Sequence, residues 1–387
     1  MTIVIDARWI FPEISGIGHY TRSLIAGLAR LESSHRFLLL FQDPAIRDRT
    51  ITETGIAGHP AFQTRLVPYG LFDPSNQWRL PWLLLREHAN LYHAPNAMLP
   101  LAAFPAGRRG RIRAVVTLHD MIPMLFPEAT PKARKTRLAP LYRFLMRQIA
   151  RRADGIITVS RASRNDITRI LRIPARQTGK VHVIYNGVES KFQPPPDPPV
   201  MPTPDRPGRL LYVGRADPYK NLTVLVRAVA KARTLCPFPI RLSIAGSPDP
   251  RYPEAQALAN SLGITDIVHW TGYLSDADLV RTYQQSDLLV HPSRYEGFGL
   301  QVLEAMASGL PVLSSNAASL PEVAGDAAVL LEPDDEDGFA VHLTRLLADP
   351  AERARLRARG IEQARRFTWE RTATETLTLY NELLKTS

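Results

Sequence analysis

The chain has 387 residues, of which 45% are hydrophobic, and this composition is typical of a globular protein. A chain of this length exceeds what one hydrophobic core usually serves, so we expect two domains. The single cysteine, Cys236, excludes an internal disulfide framework, the N-terminus lacks a secretory-signal pattern, and no apolar run approaches the ~20 residues that span a bilayer, so we expect a cytoplasmic protein.

The net charge of +11 is divided unevenly along the chain. Residues 1–191 hold 28 basic and 13 acidic residues, for a charge of +15, whereas residues 192–387 hold 20 and 24, for a charge of −4. We therefore expect the first half to contact an anionic partner. Nucleic acid is disfavoured as that partner, because the sequence shows no helix-turn-helix, zinc-finger or RNA-recognition signature.

Many of these basic residues lie between Pro131 and Arg152, where they are interleaved with apolar residues at helical spacing. The basic residues are Lys132, Arg134, Lys135, Arg137, Arg143, Arg147, Arg151 and Arg152, and the apolar ones are Leu138, Leu141, Phe144, Leu145 and Ile149. Such a helix suits docking on an anionic membrane. Taken alone, an ordinary surface helix explains the segment equally well, but a second basic cluster at residues 108–113 favours peripheral association with the inner face of the plasma membrane.

Short apolar runs that indicate β-strands alternate with helical patterns along the chain. Before residue 192 the runs are Thr2 to Asp6, Phe37 to Phe41, Arg65 to Pro68, Ala114 to Leu118, Gly155 to Ser160 and Val181 to Ile184. After residue 207 they are Leu210 to Gly214, Arg241 to Ala245, Ile267 to Trp270, Asp287 to Val290 and Pro311 to Ser314. This alternation predicts two doubly wound α/β domains, each with an open parallel sheet covered by helices on both faces.

The boundary between the two domains is predicted from proline content. Eight of the fourteen residues from Pro194 to Pro207 are proline, which favours a stiff, extended connection. We therefore assign residues 1–191 to a first domain, 192–207 to a linker and 208–368 to a second domain. Residues 369–387 follow as a final helix with the apolar spacing of a packed element.

In doubly wound folds ligands bind at the carboxyl ends of the strands, and several motifs fall there. The residues at these ends are Gly16, Gly18, His119, Asp120, Arg215 and Lys220. Gly16 and Gly18 suit a backbone contact to a phosphate or sugar, although a simple tight turn also explains them. Arg215 and Lys220 are spaced across a strand-to-helix turn, so both cations could reach one diphosphate.

The segment from His291 to Gly309 joins a buried strand, a two-glycine turn and a helix. Gly297 and Gly299 let the backbone turn sharply, and the N–H groups near Gly299 and Leu300 begin the helix and suit a phosphate.

Two carboxylates, Glu296 and Glu304, flank this turn. A carboxylate beside a phosphate would repel it, so we interpret both as acceptors for hydroxyl groups, such as those of a ribose and a sugar. The segment therefore predicts a nucleotide-sugar site.

The sequence around this site resembles the group 1, family four retaining glycosyltransferases of the GT-B fold. The likeness rests on the E-x7-E spacing of Glu296 and Glu304, on residues 292–300 and 304–312, and on weaker matches at residues 117–120 and 185–188. Gln301 departs from the family pattern, where proline is usual, and Glu189 stands where aspartate is commoner.

The resemblance implies two Rossmann-like domains that face each other across a cleft, with the C-terminal helix bracing the first domain. It implies catalytic roles for His119, Asp120 and Glu296. It implies donor-binding roles for Gly16, Gly18, Arg215, Lys220, Gly297, Phe298, Gly299, Leu300 and Glu304. In this reading Glu304 binds the ribose, Glu296 meets the donor sugar near its C3 hydroxyl, and Arg215 and Lys220 hold the diphosphate without a metal ion.

The sequence Thr-Leu-His-Asp-Met-Ile-Pro at residues 117–123 resembles the corresponding motif of bacterial mannosyltransferases of surface-polysaccharide assembly. We therefore expect GDP-mannose as the donor, a saccharide or lipid-linked acceptor, and no further cofactor, with a UDP-sugar or another nucleotide sugar as the alternative. A catalytically silent sugar-binding protein is a more remote alternative, and a dinucleotide oxidoreductase lacks its G-x-G-x-x-G fingerprint. Asp276 and Asp278 form a D-x-D pattern, which can bind a metal ion in other glycosyltransferases. We interpret it instead as the first turn of a helix that Ser275 caps.

Overall fold

The computed structural model describes residues 1–13, 16–107, 110–127, 139–196 and 201–385. The chain divides into two compact units, Met1–Gly187 with Thr368–Ser387, and Val188–Phe367. The sequence interpretation ended the first domain later, at residue 191, and set residues 192–207 apart as a linker. The start of that connection instead belongs to the second unit, because Val188 N donates to Phe367 O over 3.0 Å and the Phe192 ring packs edge-on against Tyr283.

Within the described residues, the first unit forms a seven-stranded sheet in the order β3-β2-β1-β4-β5-β6-β7, and every pairing is parallel. The strands are β1 (Thr2–Ile5), β2 (Arg36–Phe41), β3 (Phe62–Leu66), β4 (Ala89–Ala94), β5 (Arg113–Thr117), β6 (Gly155–Thr158) and β7 (Val181–Val183). The helices are α1 (Gly16–Ala29), α2 (Pro44–Thr54), α3 (Asn76–Arg86), α4 (Ile122–Leu125), α5 (Ala139–Arg152), α6 (Arg161–Ile170) and the C-terminal α14 (Trp369–Lys385). The central strands β1, β2 and β5 are buried on both faces because helices cover both sides of the sheet, whereas the edge strand β3 is largely polar and exposed.

The described part of the second unit forms a six-stranded parallel sheet in the order β10-β9-β8-β11-β12-β13. The strands are β8 (Gly208–Val213), β9 (Ile240–Ala245), β10 (Val268–Trp270), β11 (Leu288–His291), β12 (Val312–Ser315) and β13 (Val329–Leu331). The helices are α7 (Leu222–Leu235), α8 (Glu254–Ser261), α9 (Asp276–Gln285), α10 (Leu300–Ala307), α11 (Leu320–Ala324), α12 (Glu336–Ala348) and α13 (Pro350–Ala364). The prediction of two doubly wound parallel sheets is confirmed.

The strand order reverses between β1 and β4 in the first sheet and between β8 and β11 in the second. At such a reversal the connections leave in opposite directions, which opens a crevice outside the carboxyl ends of the strands. The second of these crevices holds most of the predicted donor-site residues.

Two strands, β4 and β13, were missed by the sequence interpretation. In β4 the polar residues Asn90 and His93 interrupt the apolar pattern, although both are paired across the fold. Asn90 Oδ1 accepts from Thr2 N over 2.8 Å, and the His93 ring contacts Tyr380 Oη at 2.5 Å and Thr117 Oγ1 at 2.8 Å. Local periodicity cannot report partners this distant in sequence.

The C-terminal helix α14 packs closely on α1 within the first unit. Gly27 permits this approach, because a Cβ at that position would lie 2.8 Å from both Trp369 O and Ala373 Cβ. A larger residue at position 27 would force the two helices apart.

Part of the basic segment predicted to dock on a membrane lies outside the described residues, namely Lys132, Arg134, Lys135 and Arg137 together with Leu138, Arg108 and Arg109. In the described remainder, α5, the side chains of Leu141, Phe144 and Leu145 are exposed, whereas Ile149 is buried. None of the helices in the described ranges combines the length and apolar character that a bilayer crossing requires.

Candidate active site

The loop between β11 and α10 is fixed by serine hydroxyls from neighbouring segments. Ser319 Oγ lies 2.8 Å from the carbonyl oxygens of both Glu296 and Phe298, and Ser315 Oγ donates to Ser293 O over 2.5 Å. All of these groups are buried, so the hydrogen bonds replace water that the loop carbonyls have lost. These hydrogen bonds stabilise the observed conformation of the loop.

Gly299 ends this loop as the N-cap of α10, with φ at 98°. A side chain is disfavoured in that backbone conformation, and a Cβ there would also lie 2.8 Å from Leu320 Cδ2. Gly299 has no side chain that could cap the helix, so no N-cap side chain bonds the first N–H groups of α10, which begins at Leu300. This is the geometry expected of a helix start that receives an anionic ligand.

Glu296 is buried in the loop and contacts two side chains at the reversal point of the sheet. Lys220 Nζ donates to both of its carboxylate oxygens, over 2.7 and 2.9 Å, and His291 Nε2 lies 2.8 Å from Oε1. Burial by itself raises the pKa of the Glu296 carboxyl, but the Lys220 ammonium and the His291 hydrogen bond outweigh it and lower the pKa to about 2. Glu296 is thus a carboxylate at neutral pH, and it acts as an acceptor rather than as an acid.

His291 is the residue of this group that the sequence interpretation left without a role. It ends β11, its ring stacks on Tyr212 with 5.8 Å between centroids, and its Nδ1 is buried without a hydrogen-bond partner among the described residues. Because a carboxylate only accepts, Nε2 carries the proton toward Glu296. Its position at the end of a buried strand, five residues before Glu296, is the signal that could have identified it.

Glu304 lies on the second turn of α10 and is half-buried. Its Oε2 accepts from the hydroxyl of Tyr283 over 2.9 Å, and Tyr283 is fully buried beneath it. Burial, and then the charge of Glu304, raises the pKa of Tyr283 well above its usual value, so this phenol stays a donor. Tyr283 therefore orients the carboxylate, a role that the sequence interpretation also missed.

Arg215 and Lys220 lie on the same connection after β8, but their side chains have different environments. The Arg215 side chain is 68% exposed and pairs with the buried Asp217 over 3.1 Å, whereas Lys220 is buried against Glu296. The two predicted diphosphate cations are thus one exposed guanidinium, paired with Asp217, and one buried ammonium, paired with Glu296. Asn221 is the N-cap residue of α7, but its side chain does not cap the helix, and its amide donates to Pro333 O over 2.7 Å.

His119 follows β5 in the first unit. Its Nε2 lies 2.9 Å from Pro95 O, and the Tyr20 ring meets it edge-on with 4.8 Å between centroids. Burial lowers the pKa of His119 to about 4, against the opposing effect of the Pro95 hydrogen bond. The imidazole is therefore neutral at pH 7, and because Nε2–H is given to a carbonyl, Nδ1 presents a lone pair.

The other predicted residues of the first unit lie near helix starts. Asp120 Oδ1 accepts from Ile122 N over 2.9 Å at the beginning of α4. Gly16 and Gly18 occupy the first turn of α1, with Gly16 exposed and Gly18 buried. The D-x-D pair is a capped helix turn, as interpreted from the sequence, because Ser275 Oγ accepts from Asp278 N over 3.2 Å.

Comparisons with known proteins agree with this architecture. The family models described as Glycosyltransferase Family 4 and Glycosyl transferases group 1 match residues 14–192 and 197–365. O-antigen chain mannosyltransferase B of Escherichia coli is 30% identical over 416 aligned residues, which cover 99% of this chain and 100% of that protein. MMP alpha-(1->4)-mannosyltransferase of Mycolicibacterium hassiacum is 34% identical over 245 residues, which cover 62% of this chain and 57% of that protein.

Among solved structures, sucrose-phosphate synthase from Thermosynechococcus elongatus superposes with a TM-score of 0.75 at 21% identity, covering 100% of both chains. At this identity the likeness establishes the fold. Family matches across both halves, together with a relative that is 30% identical and aligned over its full length, establish more: the chain belongs to the group 1, family 4 glycosyltransferases of the GT-B fold.

Proposed function

We propose that this glycosyltransferase moves mannose from GDP-mannose, with retention of configuration, to a saccharide or lipid-linked acceptor in cell-surface polysaccharide biosynthesis. The observation that carries the proposal is the buried Glu296 carboxylate, held by Lys220 and His291 at the reversal point of the second sheet. The mannosyl donor is supported by the two mannosyltransferase relatives.

The proposed donor contacts follow from the chemistry of each group. Glu296 and Glu304, both aligned by neighbouring donors, accept hydroxyl groups of the sugar and of the ribose. Arg215, a remaining N–H of Lys220 and the uncapped start of α10 stabilise the charge that grows on the departing diphosphate. This set of groups supplies a positive field without a metal ion.

The proposed reaction is a same-face substitution. The acceptor hydroxyl oxygen forms a bond to the anomeric carbon as the bond from that carbon to the diphosphate oxygen breaks. The acceptor proton passes to the leaving phosphate, so the products are the glycoside and GDP. Neutral His119 accepts a hydroxyl hydrogen bond through Nδ1 and orients the donor sugar, and Asp120 assists the acceptor.

The proposal is tested by incubating the protein with a panel of nucleotide sugars in EDTA. We expect thermal stabilisation and slow hydrolysis with GDP-mannose, and a smaller response to UDP-sugars. A stronger response to a UDP-sugar would reassign the donor, and no response to any nucleotide sugar would contradict the function. Loss of binding in EDTA that Mg²⁺ or Mn²⁺ restores would contradict metal independence.

We also propose that the protein acts at an anionic membrane through its first half, where the charge is +15. The exposed Leu141 and Phe144 of α5 and the basic residues before them support this surface. Replacing Lys132, Arg134, Lys135 and Arg137 with Gln should weaken sedimentation with anionic vesicles at low salt. Unchanged sedimentation of that variant would reject this segment as the anchor.

A further inference from the structure

A stripe of large apolar side chains is exposed on the outer face of α3. Trp78, Trp82 and Leu85 are 63%, 61% and 53% exposed, and Phe72, just before the helix, is also exposed. Their spacing of four and three residues places the three helical side chains on one face. The opposite face of α3 is already used, because Leu80 and Leu84 are buried in the core of the first unit.

The charges around this stripe are mostly positive, with the exposed Asp73 beside Phe72 as the acidic exception. Arg79 and Arg86 are exposed on the same helix, and neither forms an ion pair with a carboxylate among the described residues. The Arg86 guanidinium lies 5.3 Å from the centre of the Trp82 ring. Asn76–Arg86 contains no acidic residue, and Glu87, which follows it, is neutralised by Arg36 and Arg65.

An apolar groove adjoins the stripe. Its volume is about 370 Å³, and its lining includes Pro81 and Leu85 of α3, Ala103 and Pro105 of the following connection, and one further cation, Arg111. The same connection, at Leu101–Ala103, also contacts α5, so the exposed faces of α3 and α5 belong to neighbouring elements. The apolar surface thus extends beyond the helix and stays bordered by arginine.

We propose that this surface, which we call the α3 face (Phe72, Trp78, Trp82 and Leu85 with Arg79 and Arg86), docks on an anionic phospholipid bilayer. Tryptophan is favoured at the boundary between headgroups and acyl chains, where its ring is buried while its N–H stays hydrated. Leu85 and Phe72 add apolar area, and Arg79 and Arg86, neither of which forms an ion pair among the described residues, match phosphate headgroups. The proposal rests on the membrane association proposed above and gives it an insertion surface made of described residues.

A soluble saccharide is a weaker match for the same rings. Sugar hydroxyls need carboxylate or amide partners beside the aromatic faces. The Gln77 amide oxygen already accepts from Leu101 N over 2.9 Å, and the Asp73 carboxylate accepts from Ser75 N over 2.8 Å. One face of Trp82 is also occupied by Arg86. Lipid phosphate and acyl chain, by contrast, satisfy the arginines and the indoles together.

The test compares wild type with Trp78→Gln/Trp82→Gln. Vesicles of phosphatidylcholine with about 30% phosphatidylglycerol, and vesicles of phosphatidylcholine alone, are sedimented with each protein at about 50 mM salt. We expect wild type to sediment with the anionic vesicles and to show a blue shift of tryptophan fluorescence. The double variant should partition at least about ten-fold more weakly. Leu235→Gln/Leu262→Gln, which removes two exposed apolar residues of the second unit, is the matched control and should behave as wild type.

A second variant, Arg79→Gln/Arg86→Gln, keeps the apolar stripe and should lose the preference for anionic over neutral vesicles. Hydrolysis of GDP-mannose without vesicles should be unchanged in all variants, so failure of the donor chemistry and failure of the α3 face are separate results. The proposal is overturned if wild type does not sediment with anionic vesicles, or if the Trp78→Gln/Trp82→Gln variant sediments equally well. It is also overturned if a soluble mannan, and not the vesicles, changes the fluorescence of wild type.

Discussion

The two units have the same strand order around their reversal points, and each places a buried ion pair just after the central strands. In the first unit the pair is Asp6–Arg8. Arg8 donates to both carboxylate oxygens of Asp6, over 2.8 and 2.7 Å, Tyr92 donates to Asp6 over 2.7 Å, and Asn76 accepts from Arg8 over 2.9 Å. The carboxylate and most of the guanidinium are thus occupied by protein groups.

In the second unit the pair is Lys220–Glu296, and it is less completely satisfied. The Lys220 ammonium donates two hydrogen bonds, both to Glu296, so its third N–H has no hydrogen-bond acceptor among the described residues, and neither does Nδ1 of His291. A polar group left open at a sheet reversal point is available to a ligand, whereas a saturated one stabilises the fold. The comparison favours a structural role for the first pair and supports the proposed donor-binding role of the second.

The largest expected effect comes from removing the cation of each pair. Arg8→Met should lower the free energy of unfolding by about 3–5 kcal/mol, because Asp6 is left buried and charged, and it should not change GDP affinity. Lys220→Met should destabilise less, since His291 still contacts Glu296, but it should abolish measurable GDP binding.

Urea denaturation and calorimetric titration with GDP measure these two effects. Lys231→Met is the control, because Lys231 is a surface lysine of the same unit and pairs with Asp337 over 2.7 Å. Equal losses of GDP affinity in Arg8→Met and Lys220→Met would contradict the division into a structural and a ligand-binding pair.

The next effect concerns His119, the first-unit residue expected to meet the donor. His119→Ala should reduce transfer by on the order of 10²-fold while nucleotide affinity changes little. Since the His119 pKa is about 4, protonation of this ring should not limit the wild-type rate until the pH approaches that value. Steady-state kinetics of wild type and the variant across a range of pH measure the loss of transfer and its pH dependence. Wild-type turnover in the variant would show that His119 has a structural role only.

A smaller effect is expected from the donor-site residues that are half-buried or exposed. Glu304→Gln and Arg215→Ala should each weaken GDP binding by on the order of 1.5–3 kcal/mol, because each loses a charge-assisted contact. Arg233→Ala, which removes a surface arginine that pairs with Asp266 over 3.0 Å, is the control for Arg215. Unchanged affinity in both donor-site variants would show that the nucleotide binds elsewhere.

The sequence predicted the parallel sheets because buried parallel strands are apolar runs that local pattern detects. It missed β4 because Asn90 and His93 look exposed until their partners, 88 and 287 residues away, are in place. The two glutamates were found from the E-x7-E spacing of the loop. The pairing of Lys220 with Glu296, 76 residues away, could not be predicted from local sequence, because the pair forms only when β8 and β11 become neighbours.

The smallest expected effect is a difference between the two units in how the free energy of unfolding depends on pH. Burial, with a smaller contribution from His119, lowers the pKa of His93 to about 3, below the value of 6.5 for a free histidine. The unfolded chain therefore takes up a proton at this site as the pH falls below 6.5, and the folded chain does not. The contribution of His93 to the free energy of unfolding is complete above pH 6.5 and is lost as the pH falls toward 3. The loss between pH 7.5 and 5.5 is about 1 kcal/mol.

Glu296, whose pKa is about 2 instead of 4.5, contributes in the same direction but only below pH 4.5, so the Lys220–Glu296 pair should contribute little to the pH dependence in that interval. Four of the five tryptophans lie in the first unit, and in a Trp270→Phe background the fluorescence reports that unit alone. Urea denaturation at pH 7.5 and 5.5 should then show the loss, and His93→Gln, which can keep hydrogen bonds but cannot titrate, should reduce it. A pH dependence that is unchanged in His93→Gln would place the acid sensitivity in another group and remove this distinction between the units.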